Sequence, residues 1–234
     1  MIPRGRTLLI VAALEEELRP AIESLRLYEK EAGRPARTGR HAVEGRVRFL
    51  RTGVGPGPAS RSLRRALEKG RTNGVLITGY AGALDPGLRV GDLVTAQRAT
   101  LLSREGGVRE TWAMWAPDFL LETAKAAGLN AFRGDIATSH VPVVDPGQRS
   151  LFFDRFGAAV VDMETAALAR VAAGLHVPVA CVRVVTDEAT DIFEPGSPES
   201  HRSSWWEQRT VVARQSLSAF FATFFEAGGP SLRP

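Results

Sequence analysis

Apolar residues in this chain fall into short runs separated by stretches with helical spacing. Thr7–Ala13 (TLLIVAA) is almost wholly apolar and β-rich, the pattern of a strand buried on both faces. From Glu15 to about Leu27 the apolar positions recur at helical intervals, and the acidic first turn Glu15-Glu16-Glu17 suits the positive end of a helix dipole. Arg46–Arg51 (RVRFLR) alternates like a strand and ends in the Gly-rich turn TGVGPG at 52–57. Ala59–Lys69 predicts a helix with Gly70 as its stop. Gly74–Thr78 (GVLIT) predicts another buried strand, running into a second Gly-rich turn at Gly79-Tyr80-Ala81-Gly82-Ala83.

Further on, Leu88–Val94 reads as a turn into a strand, Asp118–Ala127 as a helix and Gly134–Ser139 as a strand. Ala158–Val161 leads into Asp162-Met163-Glu164 and a helix that continues to about Ala173. Val177–Val185 (VPVACVRVV) is again a strand and ends at Thr186-Asp187. Residues 188–204, with Pro195, Gly196 and Pro198, read as a mobile loop; Trp205–Glu226 reads as a helix, followed by a frayed tail. Strands alternating with helices predict an α/β fold, a three-layer α/β/α arrangement whose sheet is covered on both faces. No linker or repeat divides the 234 residues, so one domain is expected over 1–234. Ligands of such sheets bind outside the carboxyl ends of the strands. That rule gathers Glu15–Glu17, Thr52–Gly57, Gly79–Gly82, Asp162–Glu164 and Thr186–Asp187 as candidates at one sheet edge.

Composition narrows the function classes. Hydrophobic residues make up 44% and charged residues 24%, a globular balance that excludes a disordered or fibrous chain. The net charge is only +4 and the basic residues are scattered, which argues for a solvated mixed-charge surface and against a nucleic-acid partner. The single cysteine, Cys181, forms no intramolecular disulfide, and the four histidines are dispersed, so no metal cluster is expected. No apolar run approaches the ~20 residues of a membrane span. The N-terminal run meets Glu15–Glu17 without a cleavage-site pattern, so a cytoplasmic protein is expected.

The candidate chemistry lies in carboxylates and glycines. Glycine lets a backbone approach a ligand and frees N–H groups to cradle oxygens, although each Gly-rich turn alone equally suits a tight strand-to-helix connection. Neither turn has the spacing of a dinucleotide or P-loop motif. Glu164 opens an apolar helix, where an acid also serves the dipole. Asp187 follows a strand whose only other charge is Arg183, a position that also suits an N-cap.

Taken in order, AALEEE at 12–17, TGVGPGPA at 52–59, TGYAGALDPGLRVGDLV at 78–94, VVDMETAALA at 160–169 and VRVVTDEATD at 182–191 resemble the nucleoside phosphorylase and nucleosidase superfamily. The layout is similar to that of 5′-methylthioadenosine/S-adenosylhomocysteine nucleosidases and of hopanoid-associated phosphorylases. The resemblance implies a phosphorylase/hydrolase-like fold with a central twisted mixed sheet. It also implies a small-molecule purine nucleoside as substrate, a homo-oligomer with a dimer preferred, and no cofactor, with phosphate a co-substrate if the enzyme is a phosphorylase. It gives Asp187 the place of the general acid toward purine N7. An ordinary Asp titrates near ~3.9, so the site must raise that value or tighten the hydrogen bond in the transition state. Glu164 takes the ribose-binding place, Met163 packs under the sugar, and Glu17 with Arg183 holds the nucleophilic water. Asp162, Gly79, Ala81, Val143 and Thr186 complete the substrate-binding positions, Thr186 replacing the usual Ser. Tyr80 departs from the nucleosidases, which commonly have Ser there. The base-stacking aromatic aligns near Pro142-Val143, with Phe152 and Phe153 as alternatives that also suit helix core. His140 is a further substrate contact or a surface histidine. Trp112 and Trp115 border a neighbour's pocket or serve as core.

Overall fold

The computed structural model describes residues 7–31, 46–103, 107–192 and 204–228. The centre of the predicted loop, 193–203, and the tail from 229 lie outside them. In chain order the elements are β1 (Thr7–Ala12), α1 (Glu15–Glu31), β2 (Arg46–Arg51), α2 (Pro56–Glu68), β3 (Gly74–Ile77), β4 (Tyr80–Ala83), β5 (Leu93–Leu102) and β6 (Val108–Ala113). There follow α3 (Pro117–Ala126), β7 (Ala131–Thr138), α4 (Pro146–Phe156), β8 (Ala158–Asp162), α5 (Thr165–Gly174), β9 (Val179–Asp187) and α6 (Ser204–Glu226).

The α/β reading holds, with local differences that have physical causes. Helix α2 begins inside the predicted TGVGPG turn, because Pro56 sits at the first helical position, where its fixed φ suits a helix and its missing N–H costs nothing. Residues 80–83 form a strand rather than a turn, inserted between β9 and β8. Helix α4 is set by Asp145, whose side chain accepts the Gln148 N–H at 2.7 Å. Strand β6 is exposed along nearly its whole length and lacks an alternating pattern; backbone pairing to β5 alone makes it a strand.

The strands form one sheet in the order β2-β1-β3-β9-β4-β8-β7-β5-β6. Strands β1, β2, β3 and β9 run parallel; β1 and β3 are the unbroken apolar runs of such a sheet, and the alternating β2 lies at its edge. Strand β8 is antiparallel to β4, and β5 returns antiparallel to β9, so β9, β4, β8, β7 and β5 close on themselves. Every residue of β9 is buried. Its alternate side chains divide between two cores: Cys181 and Val185 face α2 and α5, whereas Val182 and Val184 face α1, α3 and α6. Two helical layers therefore cover the sheet.

On the second face α6 supplies a phenylalanine cluster, with the Phe221 ring 5.2 Å from Phe220, 6.0 Å from Phe224 and 6.1 Å from Phe225, centre to centre. Phe221 has no exposed surface. Truncating it leaves a cavity that its tightly packed neighbours fill only in part. We expect Phe221→Ala to lower the unfolding free energy by about 3–5 kcal/mol with an unchanged denaturant slope. A urea titration checks this; a loss below about 1 kcal/mol would mean that the cluster repacks freely.

Candidate active site

A cavity of about 280 Å³ opens where the ends of β1, β8 and β9 meet β4 and the segment after β7. Of the residues predicted from sequence, Glu17, Tyr80, Ala81, Val143, Asp162, Met163, Glu164, Thr186 and Asp187 line it. Gly79 and Arg183 do not: they lie beneath its floor. A Cβ at Gly79 would fall 2.5 Å from Glu17 Oε1 and 2.6 Å from Arg183 Nη1, so the glycine, at φ +134°, is required by the packing of those two side chains.

Arg183 is the hub of this floor. Its side chain is 1% exposed, in the middle of a central strand, and such a charge must be paired. Nη2 lies 2.5 Å from Asp162 Oδ2 and 3.7 Å from Glu164 Oε2; Nη1 donates to the Thr78 carbonyl at 3.1 Å, and Nε to Thr165 Oγ1 at 3.2 Å. The strand ends meet at one cavity, but the strands do not all enter it in the same direction. Because β8 runs antiparallel to β4, and β4 parallel to β9, Asp162 at the end of β8 lies beside Arg183 rather than beside Asp187. Both Asp162 oxygens are engaged, Oδ1 by Thr138 Oγ1 at 2.7 Å and Oδ2 by Arg183 and the Thr165 N–H. Asp162 therefore caps α5 and neutralises Arg183.

Glu164 stands at the start of α5 but makes no cap with its side chain. Instead Oε1 accepts the Gly55 N–H at 2.7 Å, tying the TGVGPG turn to the site. Desolvation, then the neighbouring Asp162, push its pKa up to about 7, against the pull of Arg183. Glu17 is 3% exposed. From the first turn of α1 it reaches back to the Leu14 N–H at 2.7 Å, as in a capping box, and accepts the Tyr80 N–H at 2.8 Å. Burial raises its pKa, opposed by Arg183 and by these two amides. The Tyr80 ring packs toward α1 and α6, and burial pushes its phenol upward, with the hydroxyl unpartnered.

Asp187 ends β9 with both oxygens accepting: Oδ1 from Thr186 Oγ1 at 2.8 Å, and Oδ2 from Arg149 Nη2. These two contacts hold the Asp187 side chain in one orientation. Arg149 is 2% exposed and lines the cavity. Sequence reading missed it because an arginine on a helix of mixed polarity looks like surface. Trp206 was also missed: it opens α6 and lines the cavity, the one tryptophan to do so among the described residues. Phe152 and Phe153 belong to the core between α4 and β8, and Trp112 and Trp115 pack against the two main cores. His140 lines the adjoining cavity, with Nε2 buried and unpartnered. Among the described residues no cluster of three or more His, Cys, Asp or Glu is placed to hold a metal ion, and no helix is long and apolar enough to cross a membrane.

Known proteins resemble this chain in sequence and in fold. A 5′-methylthioadenosine/S-adenosylhomocysteine nucleosidase of Geobacillus thermodenitrificans is 33% identical over 200 residues, 77% of this chain and 83% of that protein. A DeoD-type purine nucleoside phosphorylase of Streptococcus pyogenes is 24% identical over 71% of this chain and 73% of its own length. The solved 5′-methylthioadenosine/S-adenosyl homocysteine nucleosidase of Campylobacter jejuni shares the fold with a TM-score of 0.75 at 22% identity, covering 95% of this chain and all of that one. Residues 7–225 match the phosphorylase superfamily, and the chain belongs to that family.

Proposed function

We propose that this enzyme hydrolyses the N-glycosidic bond of a purine nucleoside in the cavity between Glu164 and Asp187. The observation that carries the reading is the charge around Arg183. One buried guanidinium serves three carboxylates, those of Asp162, Glu164 and Glu17. Such a surplus of negative charge favours a sugar that becomes cationic as its bond to the base breaks. It disfavours an incoming phosphate dianion: at ~4 Å and an effective dielectric near 20, each pair of like charges costs about 4 kcal/mol. Water meets no such barrier.

In this mechanism Asp187, carrying a proton taken up from solvent, faces purine N7 and gives that proton to it as the electron pair of the glycosidic bond moves onto the base. Glu164 holds the ribose hydroxyls and stabilises the positive charge, with Met163 beneath the ring. Glu17 takes the proton of the attacking water, and Arg183 steadies the carboxylates from below without touching substrate. The proton lost by water balances the one gained by the base, and the products are free base and free ribose. We assign the active form to a homodimer. Val54, Val141 and Val144 are exposed aliphatic side chains at the cavity edge, and a second copy would cover them.

Three outcomes test this reading. Asp187→Asn should lower base release by ~10²–10⁴-fold, measured on protein whose circular dichroism is native; near-normal turnover would refute the role of Asp187. Glu164 is neutral below its raised pKa of about 7 and charged above it, so kcat/KM should climb as pH rises through that value. The climb should vanish in Glu164→Gln, whose profile should be flat and low, and a climb that persists would assign the limb to another group. With adenine nucleosides, free ribose should form at the same rate with or without phosphate; ribose 1-phosphate in proportion to added phosphate would establish phosphorolysis instead.

A further inference from the structure

Arg149 has no part in the mechanism above, yet it is one of the largest fully buried side chains in the molecule. Its three guanidinium nitrogens reach two segments distant in sequence. Nε donates to the Val143 carbonyl at 2.9 Å, Nη1 donates to the Glu188 carbonyl at 2.7 Å, and Nη2 donates to Asp187 Oδ2. One side chain thus joins the loop after β7, the end of β9 and the residue beyond it. Two of these, Val143 and Asp187, line the cavity. The pair has room only because position 82 is glycine: a Cβ there would lie 2.6 Å from Asp187 Oδ2 and 3.3 Å from Arg149 Nη2.

We propose that Arg149 is the positioning residue of the base-side carboxylate. It fixes the rotamer of Asp187 and the distance between Asp187 and Val143, and it acts on the leaving base only through Asp187. Geometry supports this division. A planar guanidinium whose every nitrogen already has an acceptor has a fixed orientation, which a lysine ammonium, a point charge on a flexible stem, would not reproduce. Thr186 restrains the other oxygen, so the carboxyl group is held at both ends in one orientation toward the substrate. A group that must meet one ring nitrogen gains from such restraint, since an error of ~1 Å in placement can cost ~10²-fold in rate.

The inference rests on the reading of Asp187 as the group facing the base. Its test compares two substrates of the intact protein: adenosine, whose leaving base needs a proton, and 4-nitrophenyl β-D-ribofuranoside, whose leaving group does not. Arg149→Met should lower kcat on adenosine by ~10- to 100-fold with KM changed less than ~3-fold, while the nitrophenyl riboside loses less than ~3-fold. Arg149→Lys should fall between, and adding Arg149→Met to Asp187→Asn should cost nothing further, because both act on one step. Equal losses on the two substrates, or additive losses in the double variant, would show Arg149 to be a structural support only and overturn the proposal. If Arg149→Met does not fold, Arg149→Lys carries the same comparison: a loss confined to adenosine supports the proposal, and an equal loss or none refutes it. If Asp187→Asn is itself fully active, the reading of Asp187 falls first; if only the Asp187 variant is impaired, this inference falls alone.

Discussion

A guanidinium in the middle of a fully buried strand is the constraint around which the site is arranged. Arg183 sits in β9, where every neighbour in the strand is apolar or small, and an unpaired charge there would unfold the region. Its neutralisation requires Asp162 at 2.5 Å, and Asp162 can arrive only if β8 ends beside the middle of β9. Strand β4, only four residues long, makes that possible: parallel to β9 and antiparallel to β8, it turns a parallel sheet into a mixed one. Glu17 and Glu164 enter the field of the same cation from α1 and from the start of α5. The fold and the charges of the site are therefore one arrangement.

The two buried arginines divide the cavity into ends of different character. Around Arg183 acids outnumber the base, which suits stabilisation of a cation and leaves Glu164 poised near neutrality. Around Arg149 the balance is one to one, with the remaining nitrogens on backbone carbonyls, which suits fixed geometry rather than net charge. A glycine stands beside each arginine, Gly79 at the first and Gly82 at the second, where a Cβ would collide with Glu17 and Arg183 or with Asp187. Gly79 and Gly82 thus make room for the packing of charged side chains beneath and beside the cavity. The TGVGPG turn likewise gives one amide, that of Gly55, to Glu164 and then starts a helix.

Much of this was legible in the residues. Unbroken apolar runs such as TLLIVAA and VPVACVRVV mark strands buried on both faces, and period and punctuation place most helices within a few residues. The acids that line the cavity were found from strand ends and from the family resemblance, since their chemistry is written in residue type: carboxylates after apolar strands are unusual enough to be seen. What stayed hidden was whatever depends on partners distant in sequence. Strand β6 has a polar composition and exists through its pairing with β5; residues 80–83 look like a turn and become a strand because β8 and β9 flank them.

The same reason separates the two arginines. Arg183 stands in an apolar strand, so the sequence by itself declared that a buried charge needed partners, although it did not say which. Arg149 stands on a short helix among Gln148, Ser150 and Asp154, and nothing local distinguishes it from a solvated residue. Its burial follows from where α4 is laid down, between the loop that carries Val143 and the end of β9 that carries Asp187. Sequence determined the alternation of strands and helices, the family and the acids. Only tertiary structure decided which cation meets which acid, because ion pairing depends on distance in space, and the crossing of β8 against β9 sets that distance.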